Sequence, residues 1–158
     1  MSRNEIVVGV DENESGRAAL VWALEEAALR GATVLAVNAW NHEPLSDFAF
    51  TSAEAVREGS RTLLAEAVAA AREQVPAAVA VETRSVSGSP SVRLLEAAED
   101  AALLVVGSHR GGLLREVMLG SCAAACVRHA TVPVVVIPPP NRVARKHVEV
   151  ERPIAPTC

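Results

Sequence analysis

Short apolar runs rich in β-branched residues alternate along this chain with longer stretches of helical spacing. Glu5-Ile6-Val7-Val8-Gly9-Val10 reads as a strand buried on both faces, since an uninterrupted Ile/Val run leaves no face for water. Asp11-Glu12-Asn13-Glu14-Ser15-Gly16 is a polar loop holding several helix-capping residues. Ala18, Val21, Trp22, Leu24, Glu25, Ala28 and Leu29 then fall at helical spacing and predict a helix over 17–30 with one broad apolar face. Gly31 stands where helices commonly end on a left-handed residue. Residues 33–40 read as a second strand and 41–50 as a loop; 52–75 read as a long helix of strong helix formers, which Pro76 terminates.

The second half repeats the scheme. Residues 79–86 partly alternate apolar with polar, as a strand wetted on one face does at a sheet edge. Pro90 suits the first turn of a helix over 91–100. Ala102-Leu103-Leu104-Val105-Val106 is the most apolar strand to that point and is predicted to be central. A glycine-bearing segment over 107–120 leads into a helix over 121–129. Val132-Pro133-Val134-Val135-Val136-Ile137 is the last strand; Pro133 has no amide hydrogen, which delays its start or confines it to an edge. Strict strand–helix alternation predicts a parallel sheet covered by helices on both faces, with right-handed crossovers. Such sheets bind ligands at the carboxyl ends of strands where the strand order reverses, which singles out the loops after Val10, Val37 and Val106.

Composition narrows the classes. The chain has 158 residues, half of them apolar, enough for one domain with a real core. The domain is expected over 1–138; Pro138-Pro139-Pro140 then opens a tail over 139–158, expected to be a flexible terminus. A net charge of −4 argues against a general nucleic-acid surface. An aromatic share of 3%, with no Tyr, offers little for stacking on single strands. No apolar run reaches the ~20 residues of a membrane helix, and Met1-Ser2-Arg3-Asn4-Glu5 lacks the layout of a secretion signal, so the expectation is a cytoplasmic protein without membrane contact. Cys122 and Cys126 share one helical face and are expected to pack on the sheet rather than hold a metal.

Gly107-Ser108-His109-Arg110-Gly111-Gly112 joins a buried strand to a helix beginning near Gly120-Ser121. This is an anion site in outline. Glycines let backbone amides approach phosphate oxygens, and a helix start adds unpaired N–H groups and the positive end of its dipole. Ser121 is placed to cap that helix or to donate to a phosphate. No Gly-Lys-Ser/Thr of a P-loop occurs, and Gly-x-Gly-x-x-Gly is missing after the first strand. Ser15, His42 and Asp47 form no recognisable triad, so hydrolytic chemistry has no support.

These segments carry a family resemblance. Gly107 and Gly120-Ser121 match the ends of the universal stress protein motif, Gly-x2-Gly-x9-Gly-Ser/Thr. Val8-Gly9-Val10-Asp11, Leu104-Val105-Val106-Gly107-Ser108 and the closing strand with Pro138 resemble the same family, so the likeness covers about 3–138. It implies an α/β three-layer sandwich, Rossmann-like and akin to the adenine nucleotide alpha hydrolases, with five parallel strands in the order 3-2-1-4-5. It implies a homodimer through the last strand, 132–137, which the exposed edge of an apolar strand also favours. It further implies a regulatory protein of the stress response that binds ATP, ADP or AMP, with or without Mg2+, turns it over slowly at most, and acts on an unidentified protein partner. On this resemblance Gly9, Asp11 and Val37 lie at adenine and ribose, with Asp11 accepting from ribose hydroxyls and Val37 packing on the base. Val106 and Gly107 lie beside the ribose and first phosphate, and Gly120 and Ser121 take the phosphates, as the helix-start argument also suggests.

One position departs from the motif: Arg110 stands where its second glycine falls. Two outcomes stay open. Arg110 pairs with phosphate through charge-assisted hydrogen bonds, or it occludes the phosphate site and leaves a dimeric interaction protein of the same fold that binds no nucleotide.

Overall fold

The computed structural model describes residues 4–41, 52–108 and 119–140. Within them the chain runs β1 (Glu5–Gly9), α1 (Glu14–Arg30), β2 (Thr33–Trp40), α2 (Ala53–Gln74), β3 (Val81–Ser87), α3 (Pro90–Ala97), β4 (Leu103–Gly107), α4 (Ser121–His129) and β5 (Val134–Ile137). All five strands pair in parallel, in the order β3-β2-β1-β4-β5. The order turns back at β1, so the gap between β1 and β4 is the switch point of the sheet.

Side chains leave a strand alternately to its two faces, and both faces here are covered. Ile6, Val8, Val34, Ala36 and Val105 pack with Leu20 and Leu24 of α1 and Leu64 of α2. Val7, Leu35, Val37, Leu104 and Val106 pack with Leu94 of α3 and with Ala123 and Cys126 of α4. This double burial is why β1, β2 and β4 are nearly continuous apolar runs. The two edges differ. β3 carries the polar alternation expected of an edge, and β5 begins at Val134, just after Pro133. Pro133 still joins the ladder through its carbonyl, which accepts from Leu104 N at 3.0 Å.

The α1 face differs from the expectation. Its buried stripe is Ser15, Gly16, Ala19, Leu20, Ala23, Leu24 and Ala27. Of the residues that the spacing picked out, only Leu24 is buried, and Leu29 is 83% exposed. Small and apolar residues surround this helix, so periodicity alone does not choose its inner side. α1 also starts at Glu14 rather than 17, which makes the polar Glu14, Ser15 and Gly16 its first turn. Its end is as expected: Gly31 takes φ 64° and donates its N–H to Ala27 O. Smaller shifts occur at β3, which begins at 81 rather than 79, and at α3, which spans Pro90–Ala97 rather than 91–100. Among the described residues no helix is long and apolar enough to cross a membrane.

Candidate functional site

The carboxyl ends of β2, β1 and β4 lie side by side, and the loops that leave them set the site. Beyond β1, Val10 N donates to Val37 O at 2.8 Å, which extends the pairing one step. Asp11 follows, half-buried. Its Oδ1 accepts from Asn13 N at 2.9 Å and its Oδ2 from Asn13 Nδ2 at 3.1 Å. This turn orients the carboxylate; the α1 cap residue is Asn13, and it makes no side-chain cap bond. Two glycines give the turn its room. A Cβ on Gly16 would run into Asp11 Oδ1, and a Cβ on Gly107 would sit 2.6 Å from Ser15 C and 2.7 Å from Gly16 N. The end of β4 and the first turn of α1 therefore touch backbone to backbone.

On the other side of the switch point, α4 begins at Ser121 with Gly120 as its cap residue and no side-chain cap bond. Ser121 is thus the first helical residue and not the cap. Gly120 has no side chain with which to cap the first-turn amides, which leaves their N–H groups for another acceptor. Ser108, 1% exposed, donates its N–H to Ile137 O at 2.9 Å, while its Oγ has no hydrogen-bond partner among the described residues.

Cys122, in the first turn of α4, accepts a hydrogen bond from Cys126, and this holds its thiol below the ordinary value; burial and the charge of Asp11 oppose the shift. The same bond, with burial and the charge of Cys122, pushes Cys126 far upward. Cys126 is fully buried, as expected of a residue packed on the sheet. In the folded chain iodoacetamide is expected to label Cys122 well before Cys126, at a rate that rises with pH through a pKa below that of a free thiol. Peptide mapping after labelling at graded pH checks this; equal labelling of the two would contradict it.

The remaining anticipated residues fall into place unevenly. Gly9 and Val37 pair across β1 and β2 and face α3. The space beside Gly9 is filled by Leu94, whose Cδ1 would lie 2.8 Å from an added Cβ, and Val37 is 1% exposed. Val106 is buried on the same face. Arg110, with all of 109–118, lies outside the described residues. Among the described residues no group of three or more His, Cys, Asp or Glu is placed to hold a metal.

The open space lies on the opposite face. A cleft of about 840 Å3 is lined by Asp11 and Arg17, by Asn38 and Trp40 of β2, and by Val56 and Leu63 of α2 among others. Asn38, Trp40 and Ser60 of its lining belong to a polar chain that the sequence did not announce. Trp40 Nε1 donates to Ser85 Oγ at 2.9 Å, Ser85 Oγ to Ser60 Oγ at 2.7 Å, and Ser60 Oγ to Asn38 Oδ1 at 2.7 Å. Asn38 Nδ2 then donates to Val10 O at 2.7 Å. The sequence held one signal for it: Asn38 is a lone amide inside an apolar strand, where a polar group needs a partner.

The Universal stress protein family model matches residues 2–138. The chain belongs to the universal stress protein family. A universal stress protein of Mycolicibacterium smegmatis is 34% identical over 142 residues, which covers 87% of this chain and 47% of that protein. The chain thus spans about half the length of such relatives. Among solved structures, a universal stress protein from Archaeoglobus fulgidus in complex with dAMP superposes with a TM-score of 0.65 at 27% identity, covering 87% of this chain and 99% of that one. A universal stress protein in complex with cAMP gives 0.63, also at 27% identity, over 87% and 98% of the two chains.

Proposed function

We propose that the chain binds an adenine nucleotide, ATP or its ADP and AMP relatives, at the carboxyl edge of the sheet, and that occupancy regulates a protein partner. One observation carries this reading: the Asp11 carboxylate, oriented by Asn13, lines a cleft of about 840 Å3 at the carboxyl edge of the sheet. Phosphates suit the N–H groups of a helix start, ribose hydroxyls suit a carboxylate that only accepts, and the cleft falls in the size range of small-molecule sites. Relatives solved with dAMP and cAMP support the same ligand class. Among the described residues none stands out as a general base, and in this reading the role is regulatory, with slow turnover at most. Mg2+ would come with the phosphates and the nucleotide. In this reading the protein acts in the cytoplasm, in stress response, as a homodimer; the outer edge of β5, opposite the one that pairs β4, is where a second copy would add.

Calorimetry with ATP, ADP, AMP and cAMP tests the proposal on the intact chain. Binding by the parent is expected. Asp11→Ala is expected to weaken it at least tenfold, the value of about 1.5 kcal/mol or more for a hydrogen bond to a charged group. No heat and no thermal shift with any of the four would overturn the reading.

A further inference from the structure

We infer that Trp40 is the wall on which the base of the nucleotide stacks, and that it makes the site prefer purines. This inference rests on the nucleotide reading and deepens it. Val37, the position to which the family resemblance gives the base, is 1% exposed and faces α3. Its side chain is consumed by the core. Trp40 shares the opposite face of β2 with Asn38, two residues away, and its half-buried ring lines the cleft. Trp22 packs on the core beside α1 and α2, whereas Trp40 belongs to neither core cluster among the described residues.

The ring is also held in place. An indole N–H can only donate and a backbone carbonyl can only accept, so the chain from Trp40 through Ser85, Ser60 and Asn38 to Val10 O runs in one direction. Each hydroxyl accepts once and donates once. The chain ties β2, β3, α2 and the end of β1 to the ring edge, and since its one polar atom is engaged there, what Trp40 offers the cleft it lines is apolar ring surface. An aromatic ring fixed in this way stacks a base with little loss of side-chain freedom, and one such stack is worth roughly ten- to a hundredfold in affinity. The larger purine surface gains more from it than a pyrimidine does. Ser85, Ser60 and Asn38 act through Trp40 and are positioning residues.

The test titrates the intact chain with ATP, CTP and inorganic tripolyphosphate, by calorimetry and tryptophan fluorescence. The parent is expected to prefer ATP to CTP and to show quenching that persists in Trp22→Phe. Trp40→Leu is expected to lose ten- to a hundredfold for ATP, to bring ATP and CTP together, and to keep tripolyphosphate within about twofold; Trp40→Phe restores most of the loss. Ser85→Ala is expected to shift Trp40 emission and to weaken ATP several-fold more than tripolyphosphate. If Trp40→Leu does not fold, the parent's quenching and the Trp40→Phe ratio of ATP to CTP decide. A Trp40→Leu chain that binds ATP like the parent, or ATP binding that leaves Trp40 emission unchanged, overturns the inference while the nucleotide reading stands. A parent that binds none of the nucleotides overturns both.

Discussion

Gly107→Ala is expected to destabilise the fold by about 3 kcal/mol, at the upper end of ordinary overpacking. The added methyl would lie 2.6 Å from Ser15 C, 2.7 Å from Gly16 N and 2.8 Å from Ser15 O. All three are backbone atoms at the start of α1, where no side chain can swing aside. For a domain of this size the loss corresponds to a fall of roughly 6–12 °C in Tm. Gly59→Ala makes the same chemical change with the opposite sign. Gly59 lies inside α2 with nothing within 4 Å of an added Cβ, so alanine should gain about 1 kcal/mol of helix propensity. Calorimetric melts of the two variants read the contrast directly. Equal shifts in the same direction would refute the close approach at Gly107.

Asn38→Ala is expected to cost about 2–4 kcal/mol, because it strips two partners at once. Val10 O loses its donor and Ser60, 6% exposed, loses its acceptor. Urea unfolding gives the single value. A cycle with Ser60→Ala should show coupling of about 1 kcal/mol or more, as residues in one hydrogen-bonded network do. Strict additivity would mean that the chain from Trp40 to Val10 does not act as a unit.

These two sites mark the limits of what the chain disclosed before folding. Strands β1, β2 and β4 were legible because burial on both faces demands uninterrupted apolar residues, and Ile6-Val7-Val8 and Leu103-Leu104-Val105 satisfy it plainly. The end of α1 was legible in Gly31, since a left-handed terminus asks for glycine. Its inner face was not, because Ala and Leu occur on every side and only tertiary contacts choose among them. Strand order came from family likeness; a parallel α/β pattern alone fits several orders. At the site, the glycines and the helix start outlined a candidate anion site at the carboxyl edge of the sheet. The polar chain beside it stayed hidden for a geometric reason. Asn38, Ser60 and Ser85 are 22 and 25 residues apart and come from a strand, a helix and another strand, so no local spacing links them. Val37, to which the family likeness gives the base, faces α3, while Asn38, one residue on, faces the cleft, because successive residues of a strand point to opposite faces.

The strand order also has a consequence in time. β1 emerges first from the ribosome yet ends in the middle of the sheet, flanked by β2 on one side and β4 on the other. β2 can close one flank early, but Ile6 must wait for Leu103 and Val8 for Val105. Until then a growing chain presents an apolar strand with one flank of its backbone unpaired, the condition in which nascent chains stick to one another. The last third of the domain therefore supplies the partner that turns an adhesive intermediate into a finished sheet. Chains stalled before β4 should be the ones that chaperones hold longest.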